Sequence, residues 1–296
     1  MNKALSNQNI QTYREQGYLL LENFFDRSRI ASAIQAIDAI LTSGDIHSLA
    51  ELEPQDPSVI RRIWAPTQRH VFFEEMACDA KLLDAIACLI GENIVFHYSK
   101  LNMKGPRVGS PVDWHQDFSY NPHTNTDLIT CIIYLDDADK HNGCLQLIPR
   151  SHQKGLFNHY KDDYFRGKIY EENLPAHSTV IDVEAPAGSV IFLHCLTLHK
   201  SNTNQSDKPR RTFLPSYRAA DSFPIYVGPH TSDHEPTTKV IRGVASKTAR
   251  VEAGSWALPI AEKQFNSLYE IQEGSHLKKS QRTKSGYFGH LVENER

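Results

Sequence analysis

The chain is predicted to be mainly β with flanking helices, folded as a double-stranded β-helix, a jelly roll of the cupin-like kind. Three observations carry this expectation. Between residues 94 and 219, short runs rich in β-branched and aromatic residues follow one another: IVFHYSKLNM, LITCIIYL, CLQLIP, STVIDV, SVIFLHCLTL and RRTFLPSYRA. Turn signals separate them, among them Asn142-Gly143 and Pro186-Ala187-Gly188, and no helical pattern intervenes. Strands packed in this way need a second sheet to cover their apolar face. The first 90 residues, by contrast, read as helices that would cover one sheet.

Taken in order, residues 7–17 read as a short helix stopped by Gly17, and YLLLENFF follows as a strand. Asp26 is placed as the N-cap of an amphipathic helix. Its apolar face is Ile30, Ile34, Ile37 and Leu41, and Gly44 ends it. Residues 45–69 are polar and contain proline, and read as loop. A second helix is expected over 72–90, with Leu82, Leu83, Ile86 and Leu89 apolar and Gly91 past its end. Asn142-Gly143 reads as a hairpin turn between LITCIIYL and CLQLIP. A helix is expected near 259–272, and the basic stretch HLKKSQRTKSGYFGH reads as a solvated tail. The whole, 1–296, is expected to be one domain. Residues 1–92 are its helical cover, 93–225 the jelly-roll core and 226–296 a C-terminal extension or lid.

Composition narrows the function classes. The 296 residues hold 32 Lys+Arg against 35 Asp+Glu, a net charge of −3. That balance argues against nucleic acid or an anionic membrane as partner, since both select for a basic patch. No apolar run approaches the ~20 residues of a membrane span. The opening segment MNKALSNQNIQTYREQG lacks the apolar core of a secretory signal. Cys78, Cys88, Cys131, Cys144 and Cys195 are scattered, form no CxxC, and read as reduced thiols of a cytoplasmic protein. The 15 histidines direct attention to metal chemistry with nitrogen and oxygen ligands.

Two segments carry that chemistry. In Trp114-His115-Gln116-Asp117 an imidazole and a carboxylate lie two residues apart, which on a strand places both on one face. FLHCLTLHKSNTN then offers His194 and His199. Two histidines and a carboxylate on one face of an octahedron are the ligand set of non-haem Fe(II) oxygenases. Further on, Arg210-Arg211-Thr212 opens an apolar strand, and guanidiniums there are costly unless an anion awaits them. An Arg-x-Thr on a strand would read the far carboxylate of a dicarboxylic acid, a forked guanidinium and a hydroxyl facing the same way. A surface salt bridge to an Asp or Glu is the alternative for either arginine.

The series WHQDFSYNPHTNTDLITCIIYLDDA, NGCLQLIPRSHQKG, PAGSVIFLHCLTLHKSNTNQS and PRRTFLPSYRAAD resembles the phytanoyl-CoA dioxygenase family of Fe(II)/2-oxoglutarate-dependent oxygenases in order and spacing, over roughly residues 10–225. The resemblance implies His115, Asp117 and His199 as iron ligands, with His194 a supporting or packing histidine. It implies Arg210, Ser201, Thr212 and Lys100 around 2-oxoglutarate; Ile133 stands where some relatives carry an aromatic contact. Because Asp117 is present, it implies hydroxylation of an unactivated C–H bond rather than halogenation, with 2-oxoglutarate and O₂ becoming succinate and CO₂. Segments 94–130 look closer to compact bacterial small-molecule hydroxylases, such as phosphonate hydroxylases, than to the acyl-CoA enzyme. A small polar substrate would then meet Tyr98, Asn102, Lys104, Tyr120, His123, Asn125 and Arg218. An acyl thioester or natural-product intermediate is the alternative substrate. A non-catalytic jelly roll that keeps the metal is the alternative of another class. Oligomeric state is not readable from these residues.

Overall fold

The computed structural model describes residues 4–43, 50–226 and 239–260. The helix expected near 259–272 and the basic tail lie outside the described residues or almost wholly so, as does Gly44. Helix α1 (Asn7–Gln16) leads into β1 (Tyr18–Leu21), α2 (Arg27–Thr42), β2 (Ala50–Leu52), β3 (Ile60–Trp64), α3 (Val71–Ala77) and α4 (Ala80–Ile90). Then follow β4 (Ile94–Lys104), β5 (Val112–His115), β6 (Leu128–Tyr134), β7 (Leu145–Leu147), β8 (Tyr160–Lys161) and β9 (Tyr164–Phe165). The last strands are β10 (Ile181–Val183), β11 (Val190–His194), β12 (His199–Ser201), β13 (Arg210–Ala219) and β14 (Lys239–Arg242). No described helix is long and apolar enough to cross a membrane.

The strands form the two facing sheets of a jelly roll. The larger has the order β1-β11-β6-β13-β4-β3-β2, with β14 also on β4, and the smaller the order β10-β7-β12-β5. From β4 to β13 the chain passes back and forth between the sheets, except that β7 and β10 are neighbours in the smaller one. Alternation along each strand then sorts the apolar residues. Ile129, Cys131 and Ile133 of β6 and Val190 and Phe192 of β11 pack outward against α1–α4. Ile132, Tyr134, Ile191 and Leu193 pack inward against Leu145, Leu147 and Val183 of the smaller sheet. The large sheet is therefore buried on both faces, which is why LITCIIYL is apolar throughout.

The structure corrects three expectations. Residues 45–69 are not simply loop: they hold β2 and β3, which extend the large sheet beyond β4. The helix expected over 72–90 is two helices. Asp79 breaks it, because its carboxylate accepts from the Leu82 amide (3.1 Å) and caps the start of a new helix. Asn142-Gly143 does not close a hairpin. Strands β6 and β7 belong to opposite sheets, and the turn carries the chain across. Gly143 is required there for a different reason. Its φ is +79° and a side chain would collide with the Asn202 carbonyl.

Candidate active site

The two candidate histidine ligands are brought together by strand register. β12 lies antiparallel to β5 with His199 directly opposite His115, and their rings are 4.0 Å apart. Asp117 is not on the strand. It opens a 3-10 turn immediately after β5, and its Oδ1 lies 3.8 Å from Nε2 of each histidine. Gln116 turns the other way and ties the segment down. Its amide nitrogen donates to the carbonyls of Gly155 (2.8 Å) and Leu196 (2.7 Å), and its oxygen accepts from the Phe157 amide (2.7 Å).

The electrostatics of the three suit a metal. Nδ1 of His115 faces the Asp113 carbonyl (2.8 Å) and Nδ1 of His199 the Thr197 carbonyl (2.9 Å). Each contact holds the ring hydrogen on Nδ1 and leaves Nε2 as a lone pair. Burial pushes both imidazoles below their usual range, well below for His115, so both are neutral. Burial would raise the Asp117 carboxyl. With both imidazoles neutral, the Lys100 ammonium and the Thr130 hydroxyl, donating at 2.9 Å, oppose it and keep the carboxyl ionised. Among the described residues this is the one trio of His, Cys, Asp or Glu able to hold a metal, its donor atoms all within 4.8 Å. His194 is elsewhere. It packs between Tyr13 and His152, accepts from the Leu196 amide (3.1 Å), and burial takes it down to about 3.

The same pocket is walled by one face of the large sheet. On β13 the ladder is regular from Arg210 to Ser216, so the two arginines part company. Arg211 points away and forks onto Asp136, with Nε–Oδ2 2.9 Å and Nη2–Oδ1 2.7 Å. Arg210 is buried in the pocket, where one Nη donates to the Gly143 carbonyl. Its Nε and the hydroxyl of Thr212, two residues on, have no hydrogen-bond partner among the described residues. Two buried donors left open side by side fit an arriving carboxylate. Ser201 lines the same pocket.

The candidate substrate residues divide. Tyr98, Asn102, Lys104 and Tyr120 line the pocket. On β4 the register slips by one between Phe96 and Tyr98. This bulge moves Tyr98, Lys100, Asn102 and Lys104 onto the pocket face, while Ile94 and Phe96 before it face the helices. Lys104 donates to the Ser110 carbonyl, and burial, then Arg210 and Arg61, take its ammonium well below the usual range. Burial lowers Lys100 to about 8 against the pull of Asp117. The other three do not line the pocket. His123 sits edge-on to His97 with Nδ1 on the Asn121 carbonyl, and Asn125 donates to the carbonyls of Asp221 and Arg250. Arg218 lies over the Phe223 ring and donates to the Ser222 carbonyl.

Sequence reasoning missed Arg61, Arg62 and Trp64 of β3, which form the remaining wall. Glu51 of β2 gathers them, accepting from Trp64 Nε1 (2.7 Å) and Arg62 Nη1 (3.4 Å), with Arg61 Nη1 at 3.9 Å. Arg62 Nε also donates to Asn102 (2.9 Å). The signal was present: VIRRIW puts two guanidiniums in an apolar run, as RRTFL does.

A jelly roll that holds two neutral imidazoles and a carboxylate at one point, with an open Arg–Thr donor pair along the same pocket, defines an iron- and 2-oxoglutarate-dependent oxygenase. Residues 13–212 match the model of the phytanoyl-CoA dioxygenase (PhyH) family, and the chain belongs to that family. It is 30% identical over 238 residues to a Stutzerimonas stutzeri protein named as a probable alpha-ketoglutarate-dependent hypophosphite dioxygenase, spanning 75% of this chain and 82% of that one. It is 27% identical over 222 residues to the methylphosphonate hydroxylase of Gimesia maris, covering 74% and 83% of the two chains. Among solved structures it resembles EctD from S. alaskensis with 2-oxoglutarate and 5-hydroxyectoine. There the TM-score is 0.66 and the identity 25%, over 86% of this chain and 89% of that one. The enzyme class, the iron and the 2-oxoglutarate expected from the sequence therefore stand.

Proposed function

We propose that the protein hydroxylates an unactivated C–H bond of a small polar metabolite in the cytoplasm. His115, Asp117 and His199 would hold Fe(II), and Arg210, Thr212 and Ser201 the distal end of 2-oxoglutarate. The observation that carries the reading is the open donor pair, Arg210 Nε and Thr212 Oγ1, in the pocket that also holds the three ligands. A protein that merely kept a metal would have no use for it. When bound, the iron and its co-substrate supply the oxidising power. The chain's own residues position and shield. Thr130 keeps one Asp117 oxygen engaged, so that Oδ1 faces the histidines. Tyr120 packs edge-on to His115 (5.9 Å between centroids), with Phe165 behind it (5.3 Å), and keeps bulk water from that side. The polar character of the wall, Asn102, Lys100, Arg62 and Tyr98, supports a polar substrate over a fatty acyl chain. The unpaired state of all five cysteines supports a reducing compartment.

The test is succinate formation from 2-oxoglutarate in air, screened against amino acids, phosphonates and acyl thioesters. Small polar compounds are expected to stimulate turnover. Stimulation by thioesters alone would replace the substrate reading. The ligand set is tested without turnover, through the visible charge-transfer band of the anaerobic Fe(II)–2-oxoglutarate complex. His199→Ala is expected to abolish the band and His194→Ala to leave it. Equal loss in both would refute the choice of ligand.

A further inference from the structure

The pocket holds one cation that its known tasks do not use. Lys100 is 8% exposed, lines the pocket, and has no hydrogen bond or ion pair among the described residues; the Tyr98 ring, 5.7 Å from its Nζ, is its recorded neighbour. An ammonium buried without an anion is costly and persists where a ligand completes it. Its place on the sheet separates it from the 2-oxoglutarate end. On the regular β4–β13 ladder Arg210 stands opposite Lys104, whereas Lys100 stands opposite Leu214, four residues or about 13 Å further along. The two positions are thus separated along the sheet, and Lys104, not Lys100, is the cation directly across from Arg210. Two residues before Lys100, Tyr98 stands opposite Ser216, whose hydroxyl meets Thr130 (3.0 Å), which in turn holds Asp117, and the Asp117 charge acts on Lys100. It is therefore on the metal's side of the pocket.

Charge balance leads to the same place. Among the described residues Arg61, Arg62, Lys100, Lys104 and Arg210 are buried around the pocket, against Glu51, Glu53 and Asp117. Fe(II) and 2-oxoglutarate cancel each other, so the loaded site keeps a positive surplus. Arg61 and Arg62 lean on Glu51, Lys104 is spent on a carbonyl, and Arg210 awaits 2-oxoglutarate. Among the described residues Lys100 is the one of these cations with neither a hydrogen bond nor an ion pair; Asp117 attracts it, and bound Fe(II) would claim that carboxylate.

Building on the reading above, we propose that Lys100 is the specificity-determining residue for the substrate rather than a 2-oxoglutarate contact. In this assignment the substrate carries a small oxyanion, a carboxylate or a phosphonate, held by Lys100 close to the carbon that is oxidised. Trp64, opposite Lys100 on β3, and Tyr98 form the walls of that subsite.

The experiment uses the anaerobic protein loaded with Fe(II) and 2-oxoglutarate and follows the charge-transfer band. Propionate and methylphosphonate are the two probes, and propionamide is the neutral control. At least one anion is expected to perturb the band saturably while propionamide does not; which anion does so identifies the class. Lys100→Met should weaken that anion about tenfold or more and leave the 2-oxoglutarate affinity within about twofold. Lys100→Arg should restore part of the anion affinity. The methionine variant removes a buried unpaired charge, so its melting temperature should hold or rise, which separates a lost contact from a lost fold. The proposal is overturned if Lys100→Met weakens 2-oxoglutarate as Arg210→Gln does, or if it leaves anion binding unchanged. It is also overturned if neither anion perturbs the wild-type band. Absence of any band in the wild type would instead refute the oxygenase reading itself.

Discussion

Two strands of this protein carry adjacent arginines in an apolar run, Arg61-Arg62 on β3 and Arg210-Arg211 on β13, and the fold treats the pairs oppositely. On β13 the ladder to β4 is regular, so alternation sends Arg210 into the pocket and Arg211 out to Asp136. On β3 the register to β2 slips: Glu51 pairs with Arg62 and Leu52 with Ile60, leaving Arg61 as the extra residue. The bulge breaks the alternation, and both guanidiniums end buried beside Glu51. The same dipeptide thus leaves an open guanidinium plus a salt bridge in one place and a compensated wall in the other. The difference lies in the ladder and the partner, not in the residues. It teaches that β13 keeps a guanidinium available because its neighbour takes the local carboxylate, whereas β3 has spent both.

The largest expected effect breaks the wall. Glu51→Leu removes the carboxylate that both buried guanidiniums lean on and should cost about 3–5 kcal/mol of stability, read from denaturant unfolding. An effect no greater than that of a surface mutation would show the wall is solvated. Next comes the clamp. Arg210→Gln should weaken 2-oxoglutarate by about 2–5 kcal/mol, measured by titration of the charge-transfer band, with little change in melting temperature. If stability fell and affinity did not, Arg210 would be a wall residue like Arg62. The smallest effect belongs to Arg211→Gln. Its pair with Asp136 is only partly buried, so about 0.5–1 kcal/mol of stability is expected and no change in 2-oxoglutarate affinity. A loss of affinity matching that of Arg210→Gln would show that β13 does not alternate in solution.

The same contrast explains what could be read in advance. Where strands are long and regular, periodicity translated directly into geometry. Examples are LITCIIYL as a strand, and an arginine and the hydroxyl two residues on facing the same way, as Arg210 and Thr212 do. Where a strand is three residues long or bulged, it did not. β2 is Ala-Glu-Leu, and nothing in those residues announces a strand; the pairing with β3 makes it one. The break at Asp79 was visible as an N-cap residue, yet lay inside an apolar pattern that reads equally well as one helix. His123, Asn125 and Arg218 were expected beside the iron, but each engages a backbone carbonyl outside the pocket instead.

By itself the sequence determined the pieces whose physics is local: the strand and helix periods, the caps at Asp26 and Gly17, the donor types of His115, Asp117 and His199, and the arginine two residues before a hydroxyl. The tertiary structure decided what depends on partners far along the chain. The cross-strand register puts His199 opposite His115, and Asp136 claims one arginine while Glu51 claims two others. The bulge on β4 turns Lys100 into the pocket without a hydrogen bond or ion pair of its own among the described residues. Burial and pairing set the free energy of a charge, and neither is a property of the residue that carries it.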